Sequence, residues 1–496
     1  MYSANKLRNR PGSIFRVVTR VLQIQPHRCK LVFALALSVP AYILSAALVR
    51  AETISGALAK AYMNNPTLNA QRAGTRAVDE NVPKATAGFR PTITATSDVG
   101  YQNNEAWSPA SVNRATGARL TGTNTGSYTK PRGAGLTIQQ NLFNGNRTVN
   151  GVKQAESQVL QSREQLRSVE QTVLVNGANA YMNILRDTAI LNLRTNNVKV
   201  LEQQLKLTRD RFQVGEVTRT DVAQAESALA IGRSDAFVAQ SNLQNSLAVY
   251  RQIIGEQPKS LMPAQPLSAL LPKTVKAATD LALKEHPDVV AALHAADTAS
   301  LATKISEGAL YPTVNLTGNV QRRYDTNNIR DTRVTTASIV GQLSIPIYDG
   351  GTSYANIRQA KETYGQARLQ VDVQRETVRA AVVSSWGLFE NAARVIEAQQ
   401  AAVRAAEIAL AGVREEAKVG QRTTVDVLNA QQLLLNARVQ LVTAQRDRVA
   451  NSYVLMQSVG QLLAERLQLK VTPYDPSLHF DQVKGKWMGV RTPDGR

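Results

Sequence analysis

Residues 211–222 read Arg-Phe-Gln-Val-Gly-Glu-Val-Thr-Arg-Thr-Asp-Val, and residues 419–428 read Val-Gly-Gln-Arg-Thr-Thr-Val-Asp-Val-Leu. Val214-Gly215 aligns with Val419-Gly420 and Asp221 with Asp426, both 205 residues on. The same offset joins Leu142-Phe143-Asn144-Gly145 to Ile347-Tyr348-Asp349-Gly350 and Gly255 to Gly460. Upstream, Asn64-Asn65-Pro66 and Phe89-Arg90-Pro91-Thr92 recur as Glu285-His286-Pro287 and Leu310-Tyr311-Pro312-Thr313, at an offset of 221. A chain of 496 residues that repeats itself at such constant offsets reads as an internal tandem duplication rather than a string of unrelated domains. The change of offset gives the first copy 16 extra residues between positions 91 and 142. They fall in the Gly-, Ser-, Thr- and Asn-rich run from Asn103 to Gly133, which reads as a longer surface loop.

The repeat sets the boundaries. Residues 1–51 form a leader, 52–257 the first repeat, 258–275 a linker carrying Pro258, Pro263, Pro266 and Pro272, 276–470 the second repeat, and 471–496 a tail without periodicity. That tail is expected to be disordered or to pack around the waist of the assembly. Each repeat runs from a short helical segment through two strand-like stretches into two long helices.

The helices are read from heptads. Val159, Leu166, Val173 and Ala180 step by seven; after a four-residue stutter, Ile184, Leu191, Val198, Leu205 and Phe212 resume the step. Tyr364, Val371, Val378 and Ser385, then Phe389, Ile396, Val403, Leu410 and Ala417, repeat the pattern with its stutter. Val222, Leu229, Ala236, Leu243 and Tyr250 mark the return helix. A helix from Val152 to Phe212 would be roughly 90–100 Å long. Rich in Ala and Gln and poor in bulky residues, it cannot bury itself within one compact domain and must pack on similar helices.

The strands are read from alternation: Leu316, Gly318 and Val320 in one stretch, Ile339, Gly341, Leu343, Ile345 and Ile347 in another, with Ile93 to Tyr101 and Gly135 to Phe143 as counterparts. Each is near the ~10 residues a tilted strand needs to cross a bilayer, a length that a soluble hairpin also satisfies. Within lipid, an open sheet edge leaves backbone groups unsatisfied at several kcal/mol each. Closure by several copies removes the edges, and three chains give about twelve strands. Periodicity does not supply the number three.

Composition narrows the function. Residues 1–30 carry seven Lys or Arg and no acid, followed by the apolar stretch Leu31 to Leu48, which contains Pro40, and by a small-residue cleavage site after Ala51. The pattern fits an export signal better than an uncleaved membrane anchor. Cys29, the one cysteine, precedes the apolar stretch, so the exported chain has no lipidated cysteine, disulfide, thiol nucleophile or cysteine-ligated metal. His27, His286, His294 and His479 show no metal-ligand spacing and read as ordinary surface residues. Eight of the basic residues lie in the leader, and removing them from a formal charge of +20 leaves +12, spread at helical spacing with few aromatics. That distribution argues for solvated helix faces and against nucleic acid. No nucleophile, base and orienter set or phosphate loop stands out, so the chain is read as no enzyme, with no cofactor and no metal.

The order of leader and duplicated strand-pair and helix-pair, with the two Val-Gly turns, resembles the TolC family of outer-membrane efflux proteins over roughly Ala51 to Leu469. The resemblance implies an α+β membrane protein: a homotrimer whose four strands per protomer share a 12-stranded barrel in outer-membrane lipid, above a long coiled-coil α-helical periplasmic barrel. It implies a passive exit duct for efflux or type I secretion in a Gram-negative bacterium. The duct would be engaged by a periplasmic adaptor and by an inner-membrane transporter of RND or ABC type.

In this family the helix ends converge to close the periplasmic tip. Matched by position, Asp426 corresponds to a pore-facing carboxylate, and three copies would repel one another, attract cations and raise their own apparent pKa. Asn429 stands where a second carboxylate is usual, implying one acidic ring and weaker block by divalent cations. Arg422 matches a tether of the closed state, directed toward the Asp221 side of a neighbouring hairpin, whereas Ala417 replaces the latch tyrosine. Val214, Gly215 and Glu216, with Val419, Gly420 and Gln421, match adaptor-docking turns. Read without the family, the same residues give glycine helix ends followed by Thr218 and Thr423 as N-caps of capping boxes with Asp221 and Asp426. The rival reading, a periplasmic coiled-coil adaptor or scaffold without a pore, expects one helical hairpin and a soluble β-domain, not two copies of both.

Overall fold

The computed structural model describes residues 51–326 and 329–495. Apart from Ala51, the leader expected at 1–51 lies outside the described residues, with Cys29 and His27. Helices α1 (Ile54–Asn64), α2 (Pro66–Asp79) and α3 (Asn81–Thr86) lead into β1 (Thr92–Val99). After β2 (Gln102–Ser108), β3 (Ser111–Val112), β4 (Arg119–Leu120) and β5 (Thr123–Thr129), the chain returns through β6 (Arg132–Asn144). The long α4 (Arg147–Gln213) and α5 (Arg219–Ile254) form a hairpin. The order then recurs as α6 (Val275–Glu285), α7 (Pro287–Glu307), β7 (Thr313–Tyr324), β8 (Arg333–Ser344), α8 (Thr352–Lys418) and α9 (Thr424–Ser458), with α10 (Pro476–Val483) last. Helices α4 and α8 are both 67 residues long, about 100 Å each.

Most heptad positions are buried or half-buried, Phe212 at the tip being an exception. Val159, Leu166, Val173, Ala180, Ile184 and Leu205 of α4 are buried, as are Val371, Val378, Ser385 and Leu410 of α8 and Leu229 and Tyr250 of α5. Neither stutter breaks its helix. The largest core lies midway along α4, where Leu174, Ala178 and Tyr181 meet α1, the ends of α5 and α9, and Leu462 and Leu469 beyond α9. The Tyr181 hydroxyl lies 2.6 Å from the Met262 carbonyl oxygen and 2.7 Å from that of Glu52, pinning the start of the described chain and the linker to one helix. Burial pushes that hydroxyl up to about 12.

The four-stranded antiparallel sheet has the order β1-β6-β7-β8. Residues opposite one another share a face, so the register sorts the side chains. One face carries Ile93, Ile138, Gly318 and Ile339 in one row and Ala95, Leu136, Val320 and Ala337 in the next. The other carries Thr94, Thr137, Asn319 and Ser338, then Thr96, Gly135, Gln321 and Thr336. Ile93, Ile138, Val320 and Ile339 are all exposed, so the apolar face is uncovered within one chain. β1 and β8 are unpaired edges.

Several expectations are corrected. The Asn103 to Gly133 run is not an irregular loop: β2 pairs with β5 and β3 with β4, extending the β1–β6 hairpin as a ribbon. Ile345 and Ile347 lie beyond the end of β8. Two or three helices, not one, precede each strand pair. Of the two expectations for the tail, disordered or packed, it packs at α10, where Val483 is fully buried, Phe480 packs beside Val82 and Val159, and His479 Nδ1 lies 2.9 Å from buried Asp79. His286 is also no surface residue. It is the N-cap of α7, its Nδ1 accepting from the Asp288 amide at 3.2 Å, as the repeat-equivalent Asn65 accepts from Thr67 and Leu68 at the start of α2.

Candidate functional site

Each helical hairpin ends in a turn whose geometry follows from its residues. Helix α4 stops at Gln213, and Gly215 takes φ +80°, a left-handed conformation that a Cβ disfavours. The Gly215 and Glu216 amides then donate to the Phe212 and Arg211 carbonyls, satisfying two helix-end acceptors. The second turn repeats this: Gly420 takes φ +76°, and the Gly420 and Gln421 amides donate to Ala417 and Glu416. Thr218 and Thr423 open the return helices. The Thr423 hydroxyl accepts from the Asp426 amide at 3.3 Å, while the Thr423 amide and hydroxyl donate to Asp426 Oδ2, both at 2.9 Å. Thr218 and Asp221 make the same three bonds. These bonds hold both carboxyls below the usual carboxylate range, the largest cause for Asp426 being the Thr423 amide and for Asp221 the Thr218 hydroxyl.

The turns differ in charge. Arg422 Nε donates to Glu416 Oε2 at 2.8 Å, bridging the second turn from within. In the first, Arg211 lies 3.8 Å from Glu216, so the order of acid and base is reversed. Within one chain, Arg422 does not bond to Asp221. Glu416 escaped the sequence reading because a partner six residues back faces its base only after the glycine reverses the chain. Asn429 is exposed, Ala417 and Asp426 are half-buried, and Val214 and Val419 are 72% and 71% exposed, so both turn tips present an apolar side chain to solvent.

The hairpins are packed together behind the tips. Leu201, Leu205, Ala225 and Leu229 form a small core in the first hairpin, and Leu428 of α9, two residues beyond Asp426, packs against it. Gln431 Nε2 donates to Asn197 Oδ1 at 3.4 Å. Asp426 is therefore fixed in place by its own cap and by a neighbouring helix. The described residues hold no group of three or more His, Cys, Asp or Glu suited to a metal ion. No helix among them is long and apolar enough to cross a membrane, a result that does not bear on strands.

The profile of the outer membrane efflux protein family matches residues 57–256 and 278–461, one match on each half. The outer membrane efflux protein BepC of Brucella suis biovar 1 is 40% identical over 471 residues, covering 94% of this chain and 98% of its own. The outer membrane protein TolC of Escherichia coli K12 is 25% identical over 433 residues, covering 84% and 83%. Among solved structures, the CmeC outer membrane channel of Campylobacter jejuni superposes with a TM-score of 0.70 at 17% identity, covering 87% of this chain and 89% of CmeC, a likeness of fold. The chain belongs to the outer membrane efflux protein family, whose place is the outer membrane of Gram-negative bacteria.

Proposed function

We propose that this chain is a homotrimeric exit duct of an efflux or type I secretion system, passive and without catalytic residues. The observation that carries this is the sheet, apolar on one exposed face, polar on the other and unpaired along both edges. Strands β6, β7 and β8 are 13, 12 and 12 residues long, enough to cross a bilayer when tilted. Three copies joined β8 to β1 close a 12-stranded barrel, with the Ile93, Ile138 and Ile339 row toward lipid and the Thr137 and Asn319 row toward the lumen. A pore-free scaffold has no use for such a sheet. Residues 52–257 and 276–470 act as two copies joined by the 258–275 linker, so the three-fold assembly approximates six-fold symmetry. Relatives named for protease secretion, such as AprF of Pseudomonas aeruginosa, and for cation efflux, such as CusC of Escherichia coli, make both an adaptor and an inner-membrane transporter the fitting partners.

The helical tips form the gate in this reading. Three Asp426 carboxylates ring the axis, and exposed Val214 and Val419 at the glycine turns offer apolar knobs to an adaptor hairpin. Arg422, braced by Glu416, holds each second turn closed. The expectation of a raised Asp426 pKa is opposed by its cap, which favours the ionised form. In planar bilayers, Arg422→Ala is expected to raise the resting conductance above wild type. Unchanged resting conductance would remove Arg422 from the gate.

A further inference from the structure

The register that separates the faces of the sheet also places its charges. On the apolar face, the row after Ala95, Leu136, Val320 and Ala337 is Ser97, Ala134, Arg322 and Thr335. The row after that is Val99, Arg132, Tyr324 and Arg333. Three guanidiniums thus follow directly on the apolar rows across three adjacent strands. With strands ~4.8 Å apart and same-face rows ~6.8 Å apart, their Cα atoms fall within a patch roughly 10 Å across. All three side chains are exposed.

Their compensation is incomplete. Asp325 lies 3.4 Å from Arg132, whose guanidinium also stands 5.1 Å over the Tyr324 ring. Arg322 Nε donates to the Thr335 hydroxyl at 3.2 Å, and among the described residues no carboxylate pairs with Arg322 or Arg333. The polar face behaves differently: Arg323, between Arg322 and Tyr324 in the chain, is paired with Asp98 at 2.7 Å. Charge on the lumen side is neutralised by the protein itself. Charge at the rim of the lipid side is left for an anion from outside.

The patch has a defined end. Thr92, Asn144, Thr313 and Ser344 mark the end of the sheet nearest the helices, and Arg132 and Arg333 lie at the other. If the helices are periplasmic, as the duct reading on which this inference rests requires, the arginines stand at the outer leaflet. We propose that Arg132, Arg322 and Arg333 bind the phosphate groups of an outer-leaflet glycolipid whose acyl chains lie along the Leu136, Val320 and Ile339 rows. Arginine suits the task because its planar fork donates two parallel hydrogen bonds to a phosphate while its stem stays on apolar surface.

The test uses the full-length processed protein in phosphatidylcholine nanodiscs doped with either bisphosphorylated lipid A or the same lipid stripped of phosphate, with bound lipid counted by native mass spectrometry. The wild type is expected to retain the phosphorylated form at least about ten-fold better, charge-assisted bidentate contacts being the strong ones. Arg132→Gln, Arg322→Gln and Arg333→Gln combined should abolish the preference, and Arg323→Gln on the opposite face should keep it. A wild type without preference, a triple variant that retains it, or an equal loss in Arg323→Gln overturns the proposal. Flotation with plain phosphatidylcholine vesicles separates the two levels. A protein that fails to float overturns the membrane reading and the proposal with it, whereas one that floats without phosphate preference overturns the proposal alone.

Discussion

Thr423 and Asp426 hold one another by three hydrogen bonds at the point where the pore is proposed to narrow. The carboxylate caps α9 and, in the proposed gate, would also set charge on the axis. Removing the hydroxyl in Thr423→Ala should cost about 1 kcal/mol of local stability, seen as roughly five-fold faster amide exchange in the first turn of α9; unchanged exchange would show that the cap is redundant. Because the folded Asp426 value lies below the ordinary 3.8, the cap's contribution is complete above that pH and is lost as pH falls through the folded value. Asn429 sits one helical turn from Asp426, so Asn429→Asp should add a second acidic ring. Conductance block by a divalent cation should then set in at roughly ten-fold lower concentration, and block at an unchanged concentration would place Asn429 away from the axis. The family resemblance singled out Arg422 but not its partner Glu416, since no linear pattern announces a contact made across a turn.

At the scale of elements, the long helices were readable because their heptads repeat over many turns, and most of the residues so marked are the ones that pack. The ribbon of β2 to β5 was not. Apart from Thr129 at its base, its strands are largely solvent-exposed on both sides, so neither face needed apolar residues and no alternation was left to read. The same logic hid the caps: Asn65-Pro66 and His286-Pro287 were seen as a repeat, yet a histidine acting as an asparagine does has no signature of its own. Desolvation lowers the His286 pKa, with Arg167 acting the same way and Asp288 opposing, which suits an imidazole that must accept a hydrogen bond. That folded value lies below the ordinary 6.5. The cap's stabilisation is therefore complete above pH 6.5 and lost as pH falls through the folded value. Thermal stability should decline as pH falls below about 6.5, and His286→Asn should flatten the decline; an identical slope in the variant would exclude this cap as the cause. For α10, Phe480→Ala should cost about 1–2 kcal/mol and expose the tail to limited proteolysis beyond residue 475, while an uncut tail would show that Val483 and His479 suffice.

At the scale of the whole molecule, α8 is apolar on two sides. Leu369, Val373 and Val383 are 68%, 54% and 52% exposed, and at 100° per residue they lie opposite buried Val371, Val378 and Val382. A helix with a second uncovered apolar face needs a further partner, and the unpaired β1 and β8 edges make the same demand. Leu369→Lys together with Val373→Lys should shift the detergent-purified protein from trimer to monomer by mass photometry. A trimer as stable as wild type would move the interface elsewhere. The need for several copies could already be argued from the sequence, because helices of this length cannot bury themselves; the proposed number three comes from family resemblance and not from periodicity. The most direct test of the duct is electron microscopy of the processed protein in detergent. The account predicts three-fold particles more than about 100 Å long, the length of α4 and α8, with a detergent belt at one end. Single-chain particles, or assemblies without a belt, would contradict it.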